Sequence, residues 1–111
     1  MGDANRLRRD ELHRIAANER RRAIVATIRD RGAVTVDELV ATVAEREPQP
    51  TTSGSIDRRT AIEVELLHVH IPMLRAAGVV DFDPTQRKVT PGKHLERVDE
   101  LLSEEYALAS P

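Results

Sequence analysis

Apolar residues recur at helical spacing along most of this chain, and they alternate in strand fashion only near its last third. Residues 5–17 place Leu7, Leu12, Ile15 and Ala16 at steps of three and four, which predicts a short helix. Asn18 is a good N-cap and Glu19 suits a first turn, so a second helix should start there, run to Arg31 and stop at Gly32. Its core stripe is Ile24, Val25 and Ile28. Ala33-Val34-Thr35 is too short to stand alone but can add a third strand to a small sheet. Thr35-Val36-Asp37-Glu38 has the form of a capping box, opening a helix to Arg46 that buries Leu39, Val40 and Val43. EPQPTTSGSI at 47–56 reads as a loop.

A long helix is expected from Asp57, as N-cap, to Ala77. At about 100° per residue it carries two apolar stripes. One is Val64, Leu67, Ile71 and Leu74; the other is Ile62, Leu66, Val69 and Met73. A surface helix shows one stripe, so this one should be covered on most of its circumference. Pro72 predicts a kink around residues 68–72. After Gly78, Val79–Phe82 alternates as a strand, Asp83-Pro84-Thr85-Gln86 suits a type I turn, and Arg87–Val89 returns as the next strand. Thr90-Pro91 then reads as N-cap and first turn of a final helix to Tyr106, with Leu95, Val98, Leu101 and Leu102 on one face and Glu96, Glu100 and Glu104 on the other.

Helix, helix, loop, helix, two-stranded hairpin and helix is the order of a winged helix-turn-helix. The expected class is therefore α+β, mainly α, with a two- to three-stranded wing and a C-terminal helix. The divisions are an N-terminal arm at 1–9, the winged helix-turn-helix at 10–90, a C-terminal dimerisation helix at 91–106 and a frayed tail at 107–111. Three stretches, ERRRAI (Glu19–Ile24), AVTVDELVATVAERE (Ala33–Glu47) and HVHIPMLRAAGVVDFD (His68–Asp83), resemble a haloarchaeal winged helix-turn-helix domain family of unknown function. The pattern His-x-His-Ile-Pro-x-Leu-x-x-x-Gly-Val-Val is the most specific part, and the likeness spans roughly residues 10–95. The run His70–Val80 is more distantly similar to small repressors of the metal-sensing type. The resemblance implies a winged-helix fold and a role in transcription, and brings no ligand or catalytic residue.

Composition narrows the rest. With no cysteine there is no disulfide framework and no thiolate metal site. No run of apolar residues is long enough to span a membrane, and the first residues lack a signal-peptide core, so a cytoplasmic location is expected. Fifteen arginines against two lysines, with nineteen acids, suggest a GC-rich genome and a salt-loving host. The charge is uneven. Residues 1–31 carry nine arginines against five acids, residues 32–83 four against nine, and residues 84–111 four bases against five acids. The presumed reading unit is thus acidic, which counts against the basic footprint of a DNA binder.

The candidate DNA contacts are Arg58, Arg59 and Thr60 at the start of the long helix, His68 further along it, and Arg87 and Lys88 beside the wing turn. Each has a plainer reading: solvated charges at a loop, Arg59 paired with Glu63 at i+4, or charges guarding a strand edge. Arg20-Arg21-Arg22 could touch phosphate, or simply be a charged face with at least one arginine in solvent. His68 and His70 point about 200° apart on a helix, so they do not make a metal pair. The plainer placement is His70 hydrogen-bonded against the helix at 18–31, with His68 at the surface. No catalytic arrangement, cofactor, metal site or small-molecule ligand is indicated. The expectation is a homodimeric regulator that binds double-stranded DNA and pairs through Leu95, Val98, Leu101 and Leu102. A winged helix that docks on protein without DNA is the alternative.

Overall fold

The computed structural model describes residues 8–47 and 55–109 of the chain. Helix α1 (Arg9–Ala16) leads into α2 (Glu19–Arg31), strand β1 (Val34–Thr35) and helix α3 (Val36–Arg46). Helix α4 (Ser55–Glu65) continues through a π-helical turn (Leu66–His70) into α5 (Ile71–Ala76). Strands β2 (Val80–Asp83) and β3 (Lys88–Pro91) form the hairpin, and α6 (Leu95–Ala109) closes the described chain. The architecture is mainly helical with a small three-stranded antiparallel sheet, and is winged-helix-like.

The caps are where the residue types place them. The Asn18 carboxamide accepts from the amides of Arg20 and Arg21, and Gly32 ends α2 at φ +78°. The Thr35 hydroxyl accepts from the Glu38 amide while Glu38 reaches back to the Thr35 amide, 3.1 Å in each direction. These contacts satisfy helix-end amides that would otherwise have no partner. Strand β3 is central: Val34 pairs with Val89 on one side, and Phe82 pairs with Val89 on the other. The short segment at Ala33–Thr35 does therefore add the third strand.

The core gathers Ile15 of α1, Ile24 and Ile28 of α2, Leu39 and Val43 of α3, Ile62, Leu66 and Leu74 of the long helix, and Val80 and Val89 of the hairpin. Full burial of such side chains stabilises the fold by about 1.5–3 kcal/mol each. Helix α6 adds Leu95, Val98 and Leu102, and the Arg29–Asp99 ion pair at 2.9 Å ties it to α2.

Four expectations need correction. Helix α4 already begins at Ser55, so Asp57 lies inside it and is not its N-cap; residues 48–54 of the expected loop lie outside the described residues. Thr90 and Pro91 do not start the last helix, because they pair with Asp81 and Val80 as the end of β3. The last helix starts at Leu95 and its backbone runs to Ala109, past the expected end at Tyr106; residues 110–111 lie outside the described residues. The expected kink is a π-helical turn immediately before Pro72, in which the Ile71 amide bonds to the Leu66 carbonyl. Widening the helix there makes room for a proline ring that would strike the carbonyl four residues back.

That turn also breaks the two stripes. The two stripes assume a constant 100° per residue, and a π turn advances each residue by less. Ile62, Leu66, Ile71 and Leu74 are buried, whereas Val64 and Val69 stand 51% and 46% exposed. The helix is therefore covered on one side, not on most of its circumference.

Candidate functional site

Two structures meet on the long helix: a partly buried polar network that fixes it and a solvent-facing strip that it offers. The network starts at Arg58. Its guanidinium donates to the Ala44 carbonyl at 3.3 Å and lies 3.6 Å from Glu47, so it closes the C-terminal end of α3. Glu47 accepts from Arg20 Nε and Nη2 at 2.5 and 2.9 Å. Arg20 also meets Glu65 at 3.2 Å, and Glu65 Oε1 lies 2.6 Å from His70 Nε2. Arg21 Nε donates to His70 Nδ1 at 3.1 Å. An arginine nitrogen can only donate, so Nδ1 is the bare nitrogen and Nε2–H donates to Glu65.

His70 is 1% exposed, and the π turn is what carries it into the core while His68 stays outside. The hydrogen bond from α2 to His70, with His68 at the surface, is the plainer of the two placements open to the pair. Among the described residues no buried side-chain polar atom lacks a partner, and no three His, Asp or Glu side chains gather to hold a metal. The hydrogen bond from Arg20, above all, holds the Glu47 carboxyl below its ordinary range against the opposing effect of burial. The same bond raises Arg20.

All three arginines of the 20–22 run are engaged. Arg21 also donates to the Arg14 carbonyl at 2.7 Å, and Arg22 donates to the Ala16 carbonyl and meets Glu19 at 3.8 Å. The run clamps α1, α3 and the long helix onto α2, and none of its members projects wholly into solvent.

The wing is fixed in a similar way. Asp83 Oδ1 accepts from the Thr85 and Gln86 amides, shaping the turn. Arg87 has a left-handed backbone at φ +51°, and its carbonyl accepts from the Val36 amide at 2.9 Å. Its guanidinium lies 3.2 Å from Glu63 and 3.8 Å from Asp37, so it joins the wing to α4 and to the start of α3.

The six candidate DNA contacts therefore divide. Arg58 is partly buried against α3, where one guanidinium nitrogen meets both the Ala44 carbonyl and Glu47. Arg87 is half exposed and ion-paired. Glu63, the expected partner of Arg59, is held by Arg87 instead. Arg59, Thr60 and His68 are exposed, and Lys88 is partly so. Sequence reasoning missed Val64, because its spacing placed it in a core stripe. With Thr60, Val64, His68 and Pro72 exposed at every fourth position, the outer strip of the long helix carries no fixed charge. Arg59 and Arg75 flank it near either end.

Leu95, Val98 and Leu102 are buried in the chain's own core, so the surface assigned to a second copy is already taken by α1 and α2. Of the four, Leu101 alone keeps part of its surface outside. No described helix is long and apolar enough to cross a membrane.

A family model described as Domain of unknown function (DUF7344) matches residues 13–90. No curated protein and no solved structure gives a significant match.

Proposed function

The chain belongs to the DUF7344 family, and from that premise we propose that it is a DNA-binding transcription regulator of winged-helix type. In this reading α4 enters the major groove and the wing lies along the backbone. The observation that carries it is the outer strip of α4 and the π turn that continues it. Thr60, Ala61, Val64 and His68 are exposed, Arg59 stands at the edge, and the nearby acids are occupied: Glu63 by Arg87, and Glu65 by Arg20 and His70. Neutral side chains suit base edges, and flanking cations suit phosphates. The local electrostatics are thus milder than the net charge of residues 32–83 implies.

The resemblance to haloarchaeal sequences and the excess of arginine over lysine support a salt-loving archaeal host. Two copies on a palindromic site would meet through a surface other than Leu95, Val98 and Leu102, with Leu101 available to contribute.

The test is fluorescence anisotropy of a labelled duplex at low salt, comparing wild type with Arg59→Ala/Lys88→Ala. The double variant should bind more weakly on every sequence, and its log–log salt slope should fall by about one for each lost phosphate contact. Absence of duplex binding by the wild type at low salt refutes the proposal. One observation favours the rival reading, a protein-docking winged helix: Val64 and Val69 leave apolar surface open while Arg58 and Arg87 are tied up in ion pairs. That reading requires a co-purifying protein and no mobility shift of DNA.

A further inference from the structure

We infer that His70 is a pH-sensitive lock on the π-helical turn: its neutral ring holds Arg21, and a proton on Nδ1 releases Arg21 and with it the end of α1. The device is the same whether the outer strip of the long helix meets DNA or protein.

His70 is 1% exposed, whereas His13 and His68 are exposed and His94 is partly so. Both of its ring nitrogens are committed. Nδ1 accepts from Arg21 Nε at 3.1 Å, and Nε2–H donates to Glu65 Oε1 at 2.6 Å. Only the neutral ring fits this arrangement, because both nitrogens of an imidazolium donate. A proton on Nδ1 sets donor against donor, and cation against cation, where water has little access. Arg21 must then leave the ring.

Arg21 holds more than His70. It comes from α2, and its Nη1 donates to the Arg14 carbonyl in the last turn of α1 at 2.7 Å. His70 in turn is the last residue of the π turn, which the bond from the Ile71 amide to the Leu66 carbonyl closes. One arginine thus ties the end of α1 and the π turn to α2.

The surroundings accept the charge that the proton brings. Glu65 of α4 touches Nε2, and its side chain is 44% exposed, so the pair borders solvent. Glu47 at the end of α3, held low chiefly by its hydrogen bond from Arg20, also feels the charge of the ring. Arg20 of α2 lies 3.2 Å from Glu65, and Arg58 of α4 lies 3.6 Å from Glu47. An imidazolium beside Glu65 is a paired charge, which burial penalises far less than an isolated one. Protonation therefore exchanges the Arg21 hydrogen bond for an ion pair, a local event with a bistable turn to act on.

The test is nitrogen–proton correlation NMR of the isotope-labelled chain from about pH 8 to about pH 5, the span in which an imidazole ordinarily changes charge. That span stays above 4.5, the ordinary value of the Glu47 carboxyl. His13→Asn/His68→Asn, at two exposed positions, removes the neighbouring titrations and leaves the network whole. At the alkaline end His70 should show a bare Nδ1 and a protonated Nε2. On acidification Nδ1 should gain a proton and the hydrogen-bonded Arg21 Nε–H signal should be lost. The amides of Arg14–Ala17 and Leu66–Ile71 should shift with the same midpoint, while those of Thr85–Lys88 stay still. In His70→Asn, whose carboxamide oxygen replaces Nδ1 as acceptor and takes no proton in this span, these changes should be absent. Should that variant fail to fold, Arg21→Met replaces it: His70 should still titrate, and the Arg14–Ala17 shifts should vanish. An Nδ1 that stays bare at the acid end overturns the inference, as does a proton gained there without movement of Arg21 or of Arg14–Ala17. The same acid shifts in His70→Asn also overturn it, because another group then carries them.

Discussion

Glu47 is the residue on which α2, α3 and the long helix converge, through Arg20 and Arg58. Glu47→Gln removes the charge that both arginines face and should cost about 1–2 kcal/mol in a urea titration, the range of a partly exposed charged hydrogen bond. The pH dependence has a definite sign. The Glu47 carboxyl is held below its ordinary 4.5 in the folded chain. Its contribution is therefore complete above that ordinary value and is lost as pH falls through the lower folded value. Wild type should lose stability below about pH 4.5 more steeply than Glu47→Gln; parallel acid profiles would contradict the assignment. The glycines give a second residue-scale comparison. A Cβ on Gly32 meets nothing but must adopt φ +78°, whereas one on Gly92 would sit 2.8 Å from Val79 C and Val80 N. Gly32→Ala should cost about 1 kcal/mol of backbone strain, and Gly92→Ala clearly more, because backbone must move.

At the scale of elements, the caps were legible and the helix interior was not. Asn18, Thr35 and Glu38 announce their roles because a cap depends on residues within three positions of each other. Thr35→Ala should weaken α3 by about 1 kcal/mol, seen as a lower urea midpoint at unchanged slope. The π turn has no comparable local signature. Pro72 marks a disturbance, but whether the helix bends or widens depends on what packs against it, here Arg21 of α2 against His70. Constant helical spacing therefore places Val64 and Val69 inside, whereas the structure leaves them 51% and 46% exposed. The same limit moved the start of the last helix: Thr90-Pro91 satisfies a capping rule, but the pairing of Asp81 with Thr90 and Val80 with Pro91 decides the matter across the hairpin. For the C-terminal stripe, periodicity found a buried face and had no means of saying whether the cover was a second copy or the chain itself.

At the scale of the whole molecule, fold order survived because hydrophobic period and turn residues agree along most of the chain. The site was less legible. Arg58 and Arg87 carry the right chemistry at the right places in sequence, yet each is committed to acids brought from another element. Which cation is spare depends on pairs 11 to 50 residues apart, from Arg58–Glu47 to Arg87–Asp37. What is offered to solvent is an uncharged strip on α4 bordered by Arg59, with the wing held beside it by Arg87. The most direct test of that account is an amide-shift map of the isotope-labelled chain titrated with a duplex at low salt. It predicts perturbations concentrated at Arg59–Val64, His68 and the wing residues Thr85–Lys88, with α1 and α6 unaffected. Perturbations confined to α1 and α6, or no perturbation at all, would contradict it.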